Sequence, residues 1–365
     1  MNWHVSAPTL LDMGLRNSIC VEKMNTMLVG EAWGEREERE KKAFVGSSGW
    51  LLDQMLGEAG IERRECYATN VFNLRPPGNK IGYLCGHRAN GIPGYPPLSI
   101  RQEGGKGGNF VRREYKRELD RLREEVLSIM PNLIVALGNT ATWAFLGRTA
   151  IAKTRGVVQL STHTVDGFKV LPTYHPAAVM RQWNLNRIVV QDLIKAKRES
   201  AFPEMRRPKR EIWIEPTLED IYEFDRLHIQ PCESLAVDIE TIGCDITCIG
   251  FAPSKGVAIV IPFIVLERTA RPYWPDIATE LRAWNFVREI LKRPTPKVFQ
   301  NGLYDIAFLW RAGRIAVHGA EHDTMLLHHA LNPESLKSLG FLGSMYTDEG
   351  SWKQMRHNKT IKRED

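Results

Sequence analysis

The sequence predicts two successive α/β domains: a three-layer α/β/α unit on a parallel four-stranded sheet, then an α/β unit with a mixed sheet. Three observations carry this. Four short apolar runs in the first half each end in a small or polar cluster, as strands of one parallel sheet do where they meet their loops. Helix-like amphipathic segments separate those runs. Beyond a basic stretch with two prolines at 201–210, the pattern changes to that of consecutive strands.

In chain order, the first strand is 27–29 (Met-Leu-Val), running into Gly30-Glu-Ala-Trp-Gly34. A helix over 49–56 carries Trp50, Leu51, Leu52, Met55 and Leu56. The second strand, 67–69, ends before Asn70, and residues 75–111 are rich in Gly and Pro with no usable period. A helix over 112–130 sets Tyr115, Leu119, Leu122 and Val126 on one face at three- and four-residue steps, leaving its charges to solvent. The third strand, 133–137, precedes Gly138-Asn139 and a helix over 140–146. The fourth, at Val170-Leu171, precedes Thr173-Tyr-His-Pro176, and a last amphipathic helix spans 186–198. Open parallel sheets bind ligands beyond the carboxyl ends of their strands. The order of elements therefore brings Glu31, Asn70 and His175 to one edge.

The expected boundaries are 1–203 for the first domain, 204–212 for a basic linker and 213–365 for the second domain. There, 234–240, 246–251 and 257–263 read as a three-stranded meander, 279–291 as a helix and 297–300 as a fourth strand. Asn301-Gly302 then leads into a helix containing Asp305.

Composition places the chain among soluble proteins, with 43% hydrophobic and 25% charged residues. The longest apolar run, 257–266, is broken by Pro262 and too short for a bilayer. The amino terminus lacks a signal-peptide pattern. Six scattered cysteines without a C-x-x-C pair suit a reducing cytoplasm, the expected location. A net charge of +6 is compatible with a polyanionic partner without requiring one.

Five segments together resemble the uracil-DNA glycosylase superfamily, nearest its family 4 branch, over most of residues 24–198. They are Gly30-Glu-Ala-Trp-Gly-Glu-Arg-Glu-Glu38, Ala43-Phe-Val-Gly-Ser-Ser-Gly-Trp-Leu-Leu-Asp53, Thr69-Asn-Val-Phe-Asn-Leu-Arg-Pro-Pro-Gly-Asn79, Ala136-Leu-Gly-Asn139 and Thr173-Tyr-His-Pro-Ala177. The resemblance implies hydrolysis of the bond between deoxyribose and a uracil flipped out of the DNA stack. Phe44 would stack on the flipped ring, and the Asn70 amide would read its edge and reject cytosine. His175, with backbone N–H groups of the first loop, would stabilise negative charge on uracil O2, and Glu31, or a water it holds, would answer the sugar cation. Gly30 and Gly34 would let backbone approach the ligand, and Ala32, Asn79 and Gly138 would complete the substrate site. Singly, these residues have simpler readings: Glu31 as a helix-dipole partner, Asn70 and Asn79 as turn residues, Phe44 as core, His175 as a loop histidine. Their convergence at one sheet edge is what favours the site.

Two departures from the family pattern stand out. Most family 4 members hold an iron–sulfur cluster on four cysteines, but here only Cys20 precedes the first motif and Leu74 occupies a cysteine position. No cluster, and no other cofactor, is expected in this domain. Trp33 stands where the family usually has proline, beside an expanded loop over 80–110. That loop either replaces the structural work of the cluster, the favoured reading, or contacts DNA through Lys80, Arg88, Arg101 and Lys106.

In the second domain, Asp238 and Glu240 alternate on a strand and so share a face, and with Asp305 they could hold paired Mg²⁺ or Mn²⁺ for phosphodiester cleavage. With Gln300-Asn-Gly-Leu-Tyr-Asp-Ile-Ala-Phe-Leu309 and His322-Asp-Thr-Met-Leu326, this resembles the RNase H-like, DEDD-type 3′–5′ exonuclease domain of family A DNA polymerases. Ser335-Leu-Lys-Ser-Leu-Gly-Phe-Leu342 and Tyr346-Thr-Asp-Glu349 are similar to phage-type polymerases in particular. Asp323 reads as a helix-start residue. The pattern needs one more carboxylate downstream, and nothing after Asp323 supplies it. The expectation is an incomplete domain, from a longer protein or a truncated frame, with little exonuclease activity of its own.

The expected function is thus uracil excision by a phage or prophage replication protein, with uracil-containing DNA and a continuous or separate DNA polymerase as partners and no membrane. The alternatives are a non-catalytic pocket that senses uracil for a polymerase, and a nuclease whose first domain serves as a DNA clamp.

Overall fold

The computed structural model describes residues 24–98, 109–207, 209–266, 270–347 and 349. Two compact units divide the chain, Met1–Glu204 and Met205–Asp365.

The first unit is built on strands β1 (Thr26–Ala32), β2 (Cys66–Phe72), β3 (Leu133–Leu137), β4 (Gln159–Thr162) and β5 (Asp166–Thr173), in the spatial order β2-β1-β3-β5-β4. The first, second, third and fifth run parallel. Successive side chains on a strand leave opposite faces, so each run feeds two cores. Leu28, Val135 and Leu171 face one way, onto Leu51, Leu52 and Met55 of α2 (Ser47–Glu58) and Val189 and Leu193 of a carboxyl-terminal helix, Asn186–Glu199. Met27, Val29, Ile134, Ala136 and Val170 face the other way, onto Leu119, Leu122 and Val126 of α3 (Lys116–Ile129) and Trp143 and Phe145 of α4 (Asn139–Leu146). The result is the expected three-layer sandwich. It has five strands rather than four, because β4 adds an antiparallel edge to β5. Only Ser161 of β4 is buried, so its residues offer no apolar run to read.

The segment 80–98 is ordered by apolar anchors rather than by period. Ile81, Leu84, Ile92 and Leu98 are buried beside Phe72 and Trp143, and the Trp143 indole N–H donates to the Pro96 carbonyl at 2.7 Å. Cys85–Gly86 and Phe110–Val111 close the segment as a short antiparallel pair. Arg101 and Lys106 lie outside the described residues.

The second unit has a six-stranded mixed sheet. Its centre is the antiparallel meander Leu235–Ile242, Asp245–Ser254 and Val257–Pro262. Lys297–Phe299 joins Leu235–Ile242 in parallel, Ala320–Asp323 extends that side, and Glu211–Trp213 pairs in parallel with the third meander strand. The stretch read as linker, 204–212, therefore ends inside an edge strand. Val237, Ile239, Ile249, Phe251, Ile259 and Ile261 pack under Ile221 and Phe224 of Leu218–Phe224 and Phe286, Val287 and Ile290 of Ile277–Lys292. Among the described residues no helix is long and apolar enough to cross a membrane.

A buried ion pair fastens the helix Asn186–Glu199 to Arg155, just after the short helix Ile151–Thr154, and a hydroxyl of the strand that leads to His175 joins it. Arg155 and Asp192 are both almost fully buried; Arg155 Nε donates to Asp192 Oδ2 at 2.9 Å, and the Thr173 hydroxyl donates to the same oxygen at 2.6 Å. Removing one partner of such a pair leaves an uncompensated buried charge. Arg155→Met is expected to lower unfolding stability by about 3–5 kcal/mol in urea titration. A loss below about 1 kcal/mol would show that the pair does not hold the helix in place.

Candidate uracil-recognition site

At the end of β1, Gly30 lies opposite Asn70 of β2 in the parallel register. A Cβ at Gly30 would fall 2.3 Å from Asn70 Oδ1 and 2.6 Å from Phe44 Cζ. Only glycine lets the strand pass beside both side chains. Asn70 is almost fully buried, and its carbonyl accepts from Arg121 Nη2 at 2.8 Å. The same nitrogen holds the Val71 carbonyl at 3.0 Å, so α3 clamps the strand end that carries the amide.

Phe44 sits in the turn before α2 with a positive φ of 58°. Gly49 makes this turn feasible, since a Cβ there would lie 2.0 Å from the Phe44 carbonyl oxygen. The Phe44 ring lies 6.1 Å from the His175 ring, with 28° between their planes. The short helix α1 (Glu35–Glu40) supports the same turn: buried Glu37 accepts the Gly46 N–H at 2.9 Å. Gly34 and Gly46 leave room for that carboxylate, where added Cβ atoms would come within 2.7 and 3.1 Å of its oxygens.

His175 caps the helix Pro176–Arg181, and its Nδ1 accepts the Ala177 N–H at 3.1 Å. With Nδ1 an acceptor, the neutral ring carries its proton on Nε2. Burial, aided by the positive charge of Arg181 and opposed by Glu37, pushes the imidazole pKa down to about 4. Gly138, at φ 91°, lies so close to His175 that a Cβ would sit 3.0 Å from the histidine Cβ. Across the cleft the Thr140 hydroxyl donates to Glu31 Oε2. Burial pushes the Glu31 carboxyl above its usual range, while Thr140 and Arg181 act against the shift.

These groups enclose a cleft of about 780 Å³. Glu31, Ala32, Gly34, Phe44, Asn70, Asn79, Gly138 and His175 all line it, and Gly30 lies behind Asn70 and Phe44. Asn79 stands in the 3₁₀ turn Pro77–Asn79, where its Oδ1 accepts from Arg75 Nε at 2.8 Å. Trp33 is also a wall of the cleft; its backbone N–H donates to the Leu74 carbonyl at 3.1 Å and Lys41 Nζ lies 5.1 Å from its ring. Glu37, Thr140 and Arg181 were not singled out by sequence reasoning. For Glu37 a signal existed, the Gly34-x-x-Glu37 spacing inside the first motif. Thr140 and Arg181 acquire their roles only from the packing of helices against strand ends.

A four-cysteine cluster does not fit the first unit. It holds only three cysteines: Cys20 lies outside the described residues, buried Cys66 points its thiol at the Glu62 carbonyl 3.7 Å away, and Cys85 belongs to the 80–98 segment. Leu74 packs against the apolar core.

The carboxylates of the second unit stand close together. Asp238 and Glu240 are exposed on one face of Leu235–Ile242, as alternation requires, and Asp305 comes up beside them on the helix Gly302–Gly313. Yet Asp305 is buried and its Oδ1 accepts the Ile239 N–H at 3.1 Å. Burial first, then the neighbouring Asp238 and Asp323, push its pKa up to about 6, against the Ile239 hydrogen bond. Asp323 accepts the N–H groups of Asn301, Gly302, Met325 and Leu326, capping the helix Thr324–Leu331. Among the described residues no three His, Cys, Asp or Glu side chains are arranged to hold a metal ion.

Residues 18–196 match the family described as the uracil DNA glycosylase superfamily. A type-4 uracil-DNA glycosylase of Thermotoga maritima is 33% identical over 178 residues, covering 47% of this chain and 75% of that protein. The chain belongs to the uracil-DNA glycosylase superfamily. A second type-4 enzyme, from Sulfurisphaera tokodaii, is 32% identical over 187 residues, covering 50% of this chain and 72% of the relative. The amino-terminal unit is therefore a DNA glycosylase. A DNA polymerase of Bacillus phage SP01 is 23% identical over 337 residues, covering 84% of this chain but only 32% of that polymerase. Among solved structures, RNase D of Escherichia coli overlaps 42% of this chain and 38% of its own, with 13% identity and a TM-score of 0.31, too distant to carry an argument.

The displaced histidine pKa has a consequence for stability. A folded-state pKa near 4 lies below the ordinary value of 6.5, so protons bind the unfolded chain more readily in that interval. The contribution of neutral His175 is complete above the ordinary value and is lost as pH falls toward the folded one. Wild type is expected to lose stability relative to His175→Gln as pH is lowered through this window. Parallel stability curves in denaturant titrations between the two limits would contradict a buried neutral imidazole.

Proposed function

We propose that the first unit hydrolyses the N-glycosidic bond of an extruded deoxyuridine, and that the chain meets uracil-containing DNA in the company of a polymerase. The observation that carries this reading is the convergence of the Asn70 amide, the Phe44 ring and the His175 imidazole on one cleft at the strand ends.

Extruding a nucleotide costs a few kcal/mol of stacking and pairing. Stacking on Phe44 offsets part of that cost. The Asn70 amide offers both a donor and an acceptor, the combination needed to pair with the uracil edge and mismatch that of cytosine. As the bond breaks, electron density moves onto uracil, chiefly toward its carbonyl oxygens, while the sugar becomes cationic. Neutral His175 presents Nε2–H as a donor to uracil O2, and needs no proton transfer to do so. Such a preorganised donor acts where water is excluded and is worth roughly 10²–10³ in rate. Glu31, or a water bound to it, is the group that faces the sugar cation and the incoming oxygen.

In the second unit Asp238, Glu240 and Asp305 are the residues that would hold a divalent metal, which would supply an activated water for phosphodiester cleavage. The similarity to a phage polymerase supports a placement of excision beside DNA synthesis.

The test is release of uracil from a labelled oligonucleotide, followed by alkaline cleavage of the abasic site. Strand scission at uracil is expected, reduced by about 10²–10³ in His175→Ala and strongly in Asn70→Ala, with Asp238→Ala unaffected. Preferential binding of the uracil strand with the base retained would overturn catalysis in favour of a sensor.

A further inference from the structure

A second groove, of about 880 Å³, opens directly off the uracil cleft: Arg36, Phe44, Gly46 and Ser47 line both. From there it follows the amino-terminal half of edge strand β2, past Ala68, Tyr67 and Cys66, to the turn Arg63–Glu65. At about 3.3 Å per residue, that strand segment adds roughly 10 Å of groove. Four cations line it, Arg36, Lys42, Arg63 and Arg64, against a single carboxylate, Asp53, which pairs with Arg63 at 3.1 Å.

Trp50 stands on the groove wall in the first turn of α2 with 66% of its surface exposed. Its neighbours Gly49, Leu51 and Leu52 face the core, so the helix turns the indole outward. Among the described residues the indole makes no ring contact, and the fold gives no packing reason for so large an apolar surface in water. Cations tracking a groove with an exposed aromatic platform are how single-stranded nucleic acid is held without sequence preference. A duplex keeps both faces of each base stacked, whereas an unpaired base has a face free for the indole.

We propose that this groove binds the single-stranded DNA flanking the extruded nucleotide, with Trp50 stacking on a neighbouring base and Lys42, Arg63 and Arg64 following the phosphates. The proposal rests on the glycosylase reading, since the groove gains its role from continuity with the uracil cleft. It predicts that the protein handles uracil best in unpaired template.

The test uses the full chain and two readouts. Fluorescence anisotropy with a labelled oligothymidylate, which contains no uracil, reports groove binding alone. Trp50→Ala is expected to weaken that binding by about 5- to 100-fold, and Trp50→Phe to restore most of it. The double variant Lys42→Glu/Arg64→Glu is expected to reduce the slope of log affinity against log salt by about 1.4, at roughly 0.7 per phosphate contact on a single strand. In the second readout, the kcat/KM advantage of a uracil strand of about 20 nucleotides over a uracil trinucleotide shrinks in Trp50→Ala by the factor lost in binding. Oligothymidylate affinity within twofold of wild type in both variants would overturn the proposal, as would equal, equally Trp50-dependent affinity for a matched duplex. Retained uracil with Trp50-dependent binding would sink the catalytic reading and leave the groove standing. Uracil release indifferent to Trp50 and to strand length would do the reverse.

Discussion

Everything in the glycosylase unit that bears on chemistry depends on how closely the end of β1 passes Asn70 and Phe44. At Gly30 there is no space for a single methyl group, because the amide oxygen and the phenyl ring already occupy it. This contact joins the edge strand that carries the amide to the turn that carries the stacking ring. Around it, Arg121 holds the strand carbonyls, Glu37 holds the turn and Gly138 admits His175. Three elements far apart in sequence are thus fastened to one another by close approach at glycines.

The electrostatics follow from the same closeness. A histidine sunk at a strand end, with Nδ1 committed to a backbone N–H and Arg181 nearby, remains neutral and keeps one defined donor. A carboxyl sunk opposite it, held by Thr140, is raised by burial and restrained by the same Arg181. One arginine therefore acts on both groups in the same sense: it reinforces the neutral imidazole and opposes the burial that raises the carboxyl.

In the second unit carboxylates also serve structure. Asp305 and Asp323 spend their oxygens on backbone N–H groups, tying a strand to one helix and capping another. Carboxylates used this way hold elements in place. In the first unit the 80–98 segment is held by packing instead, with Ile81, Leu84, Ile92 and Leu98 buried beside Phe72 and Trp143.

The sequence alone determined the elements and their order. Apolar runs with small residues after them marked the parallel strands, and the three- and four-residue spacing marked α3, because strand and helix periods are local properties of the chain. Motif order then placed Glu31, Phe44, Asn70 and His175 in one region, and the structure lines a single cleft with them. What remained out of reach depended on contacts between distant residues. The edge strand β4 has no apolar signature, since it is held by pairing and not by burial. Asp238 and Glu240 share a face by strand alternation, but only the packed helix brings Asp305 beside them and onto the Ile239 N–H. The roles of Glu37, Thr140 and Arg181, the tautomer of His175 and the continuity of the uracil cleft with the Trp50 groove are likewise tertiary. Each depends on which side chain is brought within hydrogen-bonding or van der Waals distance of another, and spacing along the chain does not encode that.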